Sequence, residues 1–229
     1  MGRHGRWKEN NIMQHDYQYV PRKEWLPVRR ELEELINDVQ NEVREEFTFS
    51  FTYVGSCSRN MVTRDRKSNV GYDFDVNLHI NDDDEIYSPD ELRHILKNAF
   101  DKHIRRYNYD TCEDSTRVLT IKKRYYSNII HSCDICIVYD CDDGRQQYIH
   151  FDKNQNSYAW EYLPVSNKTL AERAKWITHN GHLDELKKLY LTKKNENDNP
   201  DRKSRSMYAE SVNEVYMKYH KGEGKKNKG

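Results

Sequence analysis

Two aspartates separated by a single residue, Asp73 and Asp75, form the most informative pair in the sequence. They lie in a stretch whose apolar and polar residues alternate, so both carboxylates are expected on one face of a β-strand. Two like charges at that spacing are costly unless cations neutralise them. Carboxylate oxygens are the ligands that hard cations such as Mg²⁺ prefer. The pair therefore predicts a divalent metal site, while its plainer interpretation is the solvated face of an edge strand.

A third aspartate, Asp134, repeats this arrangement on a later apolar stretch, where Cys133 and Ile135 flank it. Three carboxylates on two strands that face the same side would make a two-metal centre. Taken alone, Asp134 could be another exposed strand residue.

Gly55 and Ser56 stand at the end of the strand that precedes this pair. Glycine lets the backbone approach a phosphate closely, and serine can cap a following helix whose free N–H groups attract anions. Arg59 comes three residues later and is a candidate for a phosphate contact. A Gly-Ser pair by itself is commonly only a turn. The Gly-Ser pair, the pair Asp73 and Asp75, and then Asp134 follow one another along the chain. It is this order that predicts a nucleoside triphosphate site with its metals on Asp73 and Asp75.

The elements that must position these residues follow from changes in the hydrophobic period. Apolar residues at helical spacing predict a helix over 27–46, with Pro27 in its first turn. Alternation then predicts strands over 47–53 and 72–80. Ser88, Pro89 and Glu91 predict the capped start of a second helix. The remaining predicted elements are strands near 117–123, 133–139 and 147–151, helices from 167, and an exposed loop over 193–204.

This layout predicts the α+β fold class, with a mixed sheet flanked by helices and a helical C-terminal part. We expect four segments along the chain. They are a basic N-terminal segment over 1–24, a sheet-forming core over 25–165, a helical part over 166–220 and a basic tail over 221–229.

The composition describes a very polar folded protein. The 38 Lys and Arg residues balance 38 Asp and Glu residues, and 17 Tyr and 4 Trp supply apolar area for a core. The first 30 residues and the last 13 each carry a net charge of +4, which leaves an acidic middle. Five cysteines, an odd number, favour reduced thiols. Without an apolar run long enough for a membrane span or a secretory signal, we expect a cytoplasmic protein with no membrane partner.

Several other residues could do chemistry, but plainer interpretations compete. Cys133 and Cys136 have the C-x-x-C spacing, yet on a strand they face opposite sides, which disfavours zinc or redox chemistry. The acidic run over 81–85 lacks the spacing of a calcium loop and is expected to be a solvated turn. His79 shares the carboxylate face, although a histidine at a strand end is usually a surface residue.

The sequence does not decide whether four further residues contact the nucleotide or have only a structural role. Lys122 and Lys123 could contact phosphate or be solvated side chains. Tyr158 and Trp160 could stack on a base, and we slightly prefer a role in the core.

The run YVGSCSRNMVTRDRKSNVGYDFDVNLHI, followed later by SCDICIVYD, resembles the DNA polymerase β-like nucleotidyltransferase superfamily. The shared pattern is a hydrophobic strand, Gly-Ser, a spacer, an acidic-x-acidic strand and a third acidic residue on a later strand. The resemblance covers roughly residues 25–165. The spacer of 16 residues between Ser56 and Asp73 is similar to those of the oligoadenylate-synthase and bacterial cyclic-oligonucleotide-synthase branches.

The resemblance implies a nucleotidyltransferase fold and a metal-dependent transfer of a nucleoside monophosphate from an NTP, ATP among them, to a hydroxyl acceptor. Ser56 and nearby N–H groups would hold the β- and γ-phosphates. Asp73 and Asp75 would bind two Mg²⁺ or Mn²⁺ ions, and Asp134 would complete the metal that activates the acceptor. A signalling oligonucleotide is the first expectation for the product. The alternatives are transfer to a small molecule such as an antibiotic, transfer to RNA, a non-catalytic nucleotide- or RNA-binding module, and an interaction protein.

Overall fold

The computed structural model describes residues 15–82, 86–164 and 167–220. Most of the acidic run, the first 14 residues of the basic N-terminal segment and the whole basic tail lie outside these ranges. The chain divides into two compact units, one formed by residues 18–168 and the other by the residues before and after that range. No helix within the described ranges has both the length and the apolar character that a membrane crossing requires.

The larger unit contains the sheet and the first three helices. Its helices are α1 (Arg22–Val43), α2 (Gly55–Ser58) and α3 (Pro89–His103), the last followed by a 3₁₀ turn at Ile104–Tyr107. The strands are β1 (Tyr17–Tyr19), β2 (Thr48–Val54), β3 (Thr63–Asp65), β4 (Tyr72–Asn81), β5 (Glu113–Asp114), β6 (Leu119–Tyr125), β7 (Asn128–Asp140), β8 (Gln146–Asp152) and β9 (Ser157–Tyr162). The C-terminal helices are α4 (Lys168–His179), α5 (Leu183–Asn195) and α6 (Ser204–Tyr219). These elements confirm the α+β class and the helical C-terminal part.

In the part of the chain that the structure describes, seven strands form one mixed sheet. Its main order is β2-β4-β7-β6-β5, and β8 pairs with both β7 and β9, while β1 and β3 form a separate pair. The β4–β7 pair is parallel, and the pairs β2–β4, β5–β6, β6–β7, β7–β8 and β8–β9 are antiparallel. The parallel pair in the middle of the sheet positions the candidate site.

The alternating pattern of β4 separates an apolar face from a polar one. Phe74, Val76 and Leu78 are buried in one hydrophobic cluster, together with Leu32 and Leu35 of α1. Asp73 and Asp75 leave the other face of the same strand, because side chains alternate along a β-strand. Burial of the apolar face therefore fixes the direction of both carboxylates.

Helix α1 begins five residues before the predicted start. Arg22 is its first residue, so Pro27 lies inside the helix rather than in the first turn. The prediction was wrong because proline was taken as a start signal. At Pro27 the helix lacks only the N–H that would bond to the carbonyl of Lys23, and buried Trp25 and Leu32 extend the apolar stripe across that position.

Other predicted boundaries are confirmed in part. The capping box at Ser88 and Glu91 is present in both directions, with Pro89 at the first helical position. Strand β7 starts at Asn128, earlier than predicted, and β9 had no predicted counterpart. The expected loop over 193–204 was too long, because α5 continues to Asn195 and buries Lys194.

A fully buried arginine links α3 to the strand edge. Arg93 donates from Nε and Nη2 to Asp114 Oδ1, at 2.9 and 2.6 Å, and from Nη2 to the carbonyls of Ser115 and Val118, at 2.8 and 2.7 Å. Removing one member of a buried ion pair leaves the other polar groups without their partner. This side chain is therefore expected to be essential for the packing of α3.

We expect Arg93→Met to lower the free energy of unfolding by about 3 kcal/mol, measured by urea denaturation. Arg106→Met is the matched control, because Arg106 pairs with Asp38 at 3.1 Å but is 74% exposed. An exposed pair of this kind contributes about 0–1 kcal/mol. Equal losses in the two variants would contradict the structural role assigned to Arg93.

Candidate active site

The register of the sheet brings the predicted carboxylates together. Asp75 of β4 lies directly opposite Asp134 of β7, and Asp73 lies opposite Ser132. On the other side of β4, Asp75 pairs with Val54, the last residue of β2, so Gly55 begins α2 beside the same carboxylate. Three adjacent strands thus place Asp73, Asp75 and Asp134 at one end of the polar face.

Two of the three carboxylates accept hydrogen bonds from neighbouring hydroxyl groups. Ser132 Oγ donates to Asp73 Oδ1, and Thr120 Oγ1 donates to Asp134 Oδ1 at 2.7 Å. In these conformations the carboxylates do not converge: among the described residues, no three His, Cys, Asp or Glu side chains already form a metal-binding group. The register nevertheless sets Asp75 opposite Asp134, with Asp73 two residues away on the same face of β4.

Neighbouring carboxylates help to raise the pKa of Asp75 and of Asp134. Burial raises the pKa of Asp75 from 3.8 to about 6, and the charges of Asp134 and Asp73 add to the shift, while Arg59 opposes it. Burial and the charge of Asp73 also raise the pKa of Asp134, against the hydrogen bond from Thr120. A half-buried cluster of like charges costs free energy, and a divalent cation would offset that cost. The donor set therefore fits a hard cation such as Mg²⁺ or Mn²⁺.

Gly55 is required by the position of Asp75. Its φ is +63°, in the left-handed region, and an added Cβ would overlap Asp75 Oδ2 and lie 2.9 Å from the carboxyl carbon. The sequence prediction assigned this glycine to phosphate approach, and the structure shows a second reason for it. The carboxylate rests on the glycine backbone, where no other residue type leaves room.

Ser56 and Arg59 lie beside this contact. Ser56 is half-buried in α2, a helix of one turn, and Arg59 is the residue that ends it. Because the charge of Arg59 lowers the pKa of Asp75, the guanidinium is close enough to act on the carboxylate. The structure thus brings all six predicted site residues to one end of the polar face: Gly55, Ser56, Arg59, Asp73, Asp75 and Asp134.

The two lysines considered for phosphate contact have acidic partners. Lys122 bonds to Glu113, and Lys123 Nζ lies 2.8 Å from Glu31 Oε1. Lys122 still acts on the site electrostatically, because its charge lowers the pKa of Asp134.

The two aromatic residues left open have a structural position. Tyr158 and Trp160 lie on β9 and pack against the main hydrophobic core. Cys133 is fully buried in that core, whereas Cys136 is only half-buried, as expected for residues on opposite faces of a strand.

His79 takes part in a network that crosses three strands. Its Nε2 lies 2.8 Å from Thr52 Oγ1, and its Nδ1 lies 2.7 Å from Asp140 Oδ2. It shares the polar face with the carboxylates, as predicted, but lies four residues beyond Asp75, roughly 13 Å along the strand.

Sequence reasoning missed Thr120 and Ser132, the hydroxyl donors to the carboxylates. Each lies on the polar face through strand alternation, which the sequence does show. The partner of Ser132 depends on the register of β4 with β7, and the partner of Thr120 on that of β6 with β7, which includes an irregularity between Lys123 and Arg124. Strand periodicity alone does not specify register.

Comparisons with known proteins identify the fold. No protein-family model matches the chain, and a search of curated proteins finds no match. Solved structures of bacterial cyclic-oligonucleotide synthases, a branch of the nucleotidyltransferase superfamily, do match it. The predicted resemblance is therefore confirmed at the level of the fold.

Three of these structures give the extent of the likeness. The cyclic AMP-GMP synthase DncV of Vibrio cholerae matches with a TM-score of 0.53 at 16% identity, over 81% of this chain and 50% of that one. DncV with the linear intermediate pppA(3′,5′)pG gives 0.52 at 17%, over 85% and 52%. CdnC of E. coli MS115-1 with ATP gives 0.50 at 17%, over 88% and 67%. The chain thus spans about half the length of DncV and two thirds of CdnC.

We expect Asp75→Asn to stabilise the metal-free protein at pH 7.5. The folded chain holds the Asp75 proton up to a pKa of about 6, against 3.8 for the free group, so this carboxylate reduces stability as pH rises from about 4 to 6. The variant removes that cost, and each 1 kcal/mol gained raises Tm by roughly 2–4 °C. Thermal unfolding in EDTA should show a gain at pH 7.5 that shrinks towards pH 4.5. A gain of equal size at both pH values would contradict the assigned cause.

We expect Gly55→Ala to be more destabilising than Gly144→Ala. Both glycines have positive φ, +63° and +78°, but nothing lies within 4 Å of a Cβ added at Gly144. The two variants share the cost of a left-handed alanine, about 1–2 kcal/mol, so the difference measures the clash with Asp75. Urea denaturation of both variants checks this, and equal losses would show that the contact between Gly55 and Asp75 is loose.

Proposed function

We propose that this chain is a metal-dependent nucleotidyltransferase that transfers a nucleoside monophosphate from an NTP to a hydroxyl acceptor. The observation that carries the proposal is the alignment of Asp75 with Asp134 across the parallel β4–β7 pair, with Asp73 on the same face and Gly55 against Asp75. Carboxylates on adjacent strands, beside a Gly-Ser turn, match what transfer to a hydroxyl needs: metal ligands, and a place for phosphates next to them.

In this proposal each residue has a separate task. Asp73 and Asp75 would hold Mg²⁺ or Mn²⁺ together with the triphosphate, and Asp134 would complete the site nearer the acceptor. Divalent cations would neutralise the triphosphate and lower the pKa of the attacking hydroxyl. Ser56, the adjacent backbone and Arg59 orient the β- and γ-phosphates. Asp134 would take the acceptor proton as the acceptor oxygen attacks the α-phosphate, and the bond from the α-phosphate to the β-phosphate oxygen would break to release pyrophosphate.

The choice of substrates follows the solved neighbours. CdnC was solved with ATP, and DncV with a linear intermediate in which two nucleotides are joined. We therefore propose ATP or GTP as donor, a second nucleotide as acceptor and a signalling oligonucleotide as product, made in the cytoplasm. Transfer to RNA or to a small molecule such as an antibiotic uses the same chemistry with another acceptor.

A second candidate function is a non-catalytic nucleotide-binding module. One observation favours it: among the described residues the three carboxylates do not converge into a metal-binding group. This candidate predicts metal-dependent NTP binding without any product.

The test is label transfer from each α-³²P-NTP with Mg²⁺ or Mn²⁺, first with no added acceptor and then with RNA and small alcohols. We expect phosphatase-resistant product from the wild type, and a rate at least about 10³-fold lower in Asp73→Asn/Asp75→Asn. Asp140→Asn is the control, because Asp140 lies on the same face but bonds to His79 and Gln146. Product formation that survives the double substitution would contradict the site. Binding without product under every condition would favour the module.

A further inference from the structure

Half of the exposed large apolar side chains lie in one small area. Val70, Tyr125, Tyr126 and Ile130 are 44%, 64%, 84% and 42% exposed, and they are four of the eight such residues in the described ranges. They belong to two segments, residues 66–70 before β4 and residues 124–130 around the β6–β7 turn. We call these two segments the tip surface. Clustered apolar exposure of this kind marks an interaction site.

The two segments form one continuous surface. The Ile129 N–H donates to the carbonyl of Asn69 at 2.9 Å. Gly71 packs so closely on Ile130 that a Cβ at Gly71 would overlap the Ile130 carbonyl oxygen. The loop before β4 is therefore fixed against the hairpin.

The two tyrosines at the turn are held apart from the core. Their ring centroids are 4.6 Å apart with planes at 76°, so the rings meet edge to face and leave flat faces exposed. Tyr126 has φ +53°, a left-handed conformation that is unusual for a bulky residue and concentrates at functional positions. Tyr126 lies in the two-residue turn between Tyr125 and Asn128, where a positive φ closes the hairpin, and its ring is 84% exposed.

The charge of the tip surface is of one sign. The two segments contain Arg66, Lys67 and Arg124 and no carboxylate. Arg124 bonds to Asp110 at 2.8 Å and lies 4.0 Å from Glu113, so its charge is offset by carboxylates outside the two segments. Arg66 is exposed and forms no ion pair with any described residue. Exposed aromatic faces beside cations suit a polyanion that offers unpaired bases, because bases stack on the rings and phosphates lie near the cations.

We propose that the tip surface binds single-stranded RNA. A duplex keeps its bases stacked inside, so only a single strand can offer them to Tyr125 and Tyr126. The same two segments carry short polar side chains that can bond to base edges and to 2′-hydroxyl groups: Ser68, Asn69, Ser127 and Asn128.

The tip surface borders the candidate active site. Ile130 precedes Ser132, the donor to Asp73, by two residues, about 7 Å along β7. Binding itself does not depend on the transferase activity, and the test is made without metal or NTP.

The experiment is fluorescence anisotropy of a fluorescein-labelled 12-nucleotide single-stranded RNA in EDTA, at several KCl concentrations. We expect Tyr125→Ala/Tyr126→Asn to weaken binding at least about tenfold, with asparagine chosen because it tolerates positive φ. Arg66→Ala should reduce the slope of log affinity against log salt by about 0.7. Tyr162→Ala is the control, because Tyr162 is also exposed and lies 4.0 Å from Arg145, but on β9.

Four outcomes would overturn the proposal: no RNA binding by the wild type, equal loss in Tyr162→Ala, equal affinity for DNA of the same sequence, or a dimer in sedimentation that the tyrosine substitutions abolish. The last would assign the surface to a second copy of this chain. Asp75→Asn separates this proposal from the proposed function, since it should lose label transfer and keep RNA binding.

Discussion

The parallel alignment of β4 with β7 is the constraint on which the rest of the site depends. It sets Asp75 against Asp134, two carboxylates on neighbouring strands, with Asp73 one pleat away. Burial and mutual repulsion raise the pKa of both Asp75 and Asp134, so the folded chain holds negative charge where it is costly. The apolar face of β4 makes the arrangement unavoidable: while Phe74, Val76 and Leu78 remain buried under the helices, the carboxylates must share the opposite face. Because the fold fixes these carboxylates close together, the site favours the binding of cations.

The residues around the three carboxylates accommodate the negative charge and do not neutralise it. Gly55 leaves space for the Asp75 carboxylate, and the hydroxyl groups of Ser132 and Thr120 hold Asp73 and Asp134 with single hydrogen bonds. These are charge-assisted hydrogen bonds to single carboxylate oxygens, and they leave both carboxylates negative, because a hydroxyl group carries no positive charge. The nearby basic residues Lys122 and Lys123 bond to glutamates outside the trio, which leaves the carboxylates unneutralised by a direct lysine partner. The lone opposing effect identified on Asp75 is the charge of Arg59.

Much of this arrangement follows from the sequence. The alternation from Tyr72 to Ile80 specifies which side chains of β4 are buried, and the capping box at Ser88 specifies where α3 begins. The sequence does not specify register, because a strand pattern repeats every two residues and fits several pairings. For that reason the sequence did not show which carboxylates Thr120 and Ser132 bond to. It also did not predict the irregularity in the β6–β7 pairing after Lys123. The start of α1 was predicted too late because Pro27, which lies in the second turn, was interpreted as a residue of the first turn. The contact of Gly55 with Asp75 is likewise a tertiary contact that the sequence does not specify. The sequence analysis had assigned this glycine to the approach of a phosphate.

The account is tested most directly by counting bound Mn²⁺ by electron paramagnetic resonance, with a non-hydrolysable NTP analogue present, for the wild type and for Asp134→Asn. A centre built on all three carboxylates predicts about two Mn²⁺ ions per chain in the wild type. It also predicts the loss of one in the variant, with nucleotide binding largely retained, because Asp73 and Asp75 still hold the other. Equal Mn²⁺ binding by the two proteins would show that Asp134, although aligned with Asp75, is not part of a metal centre.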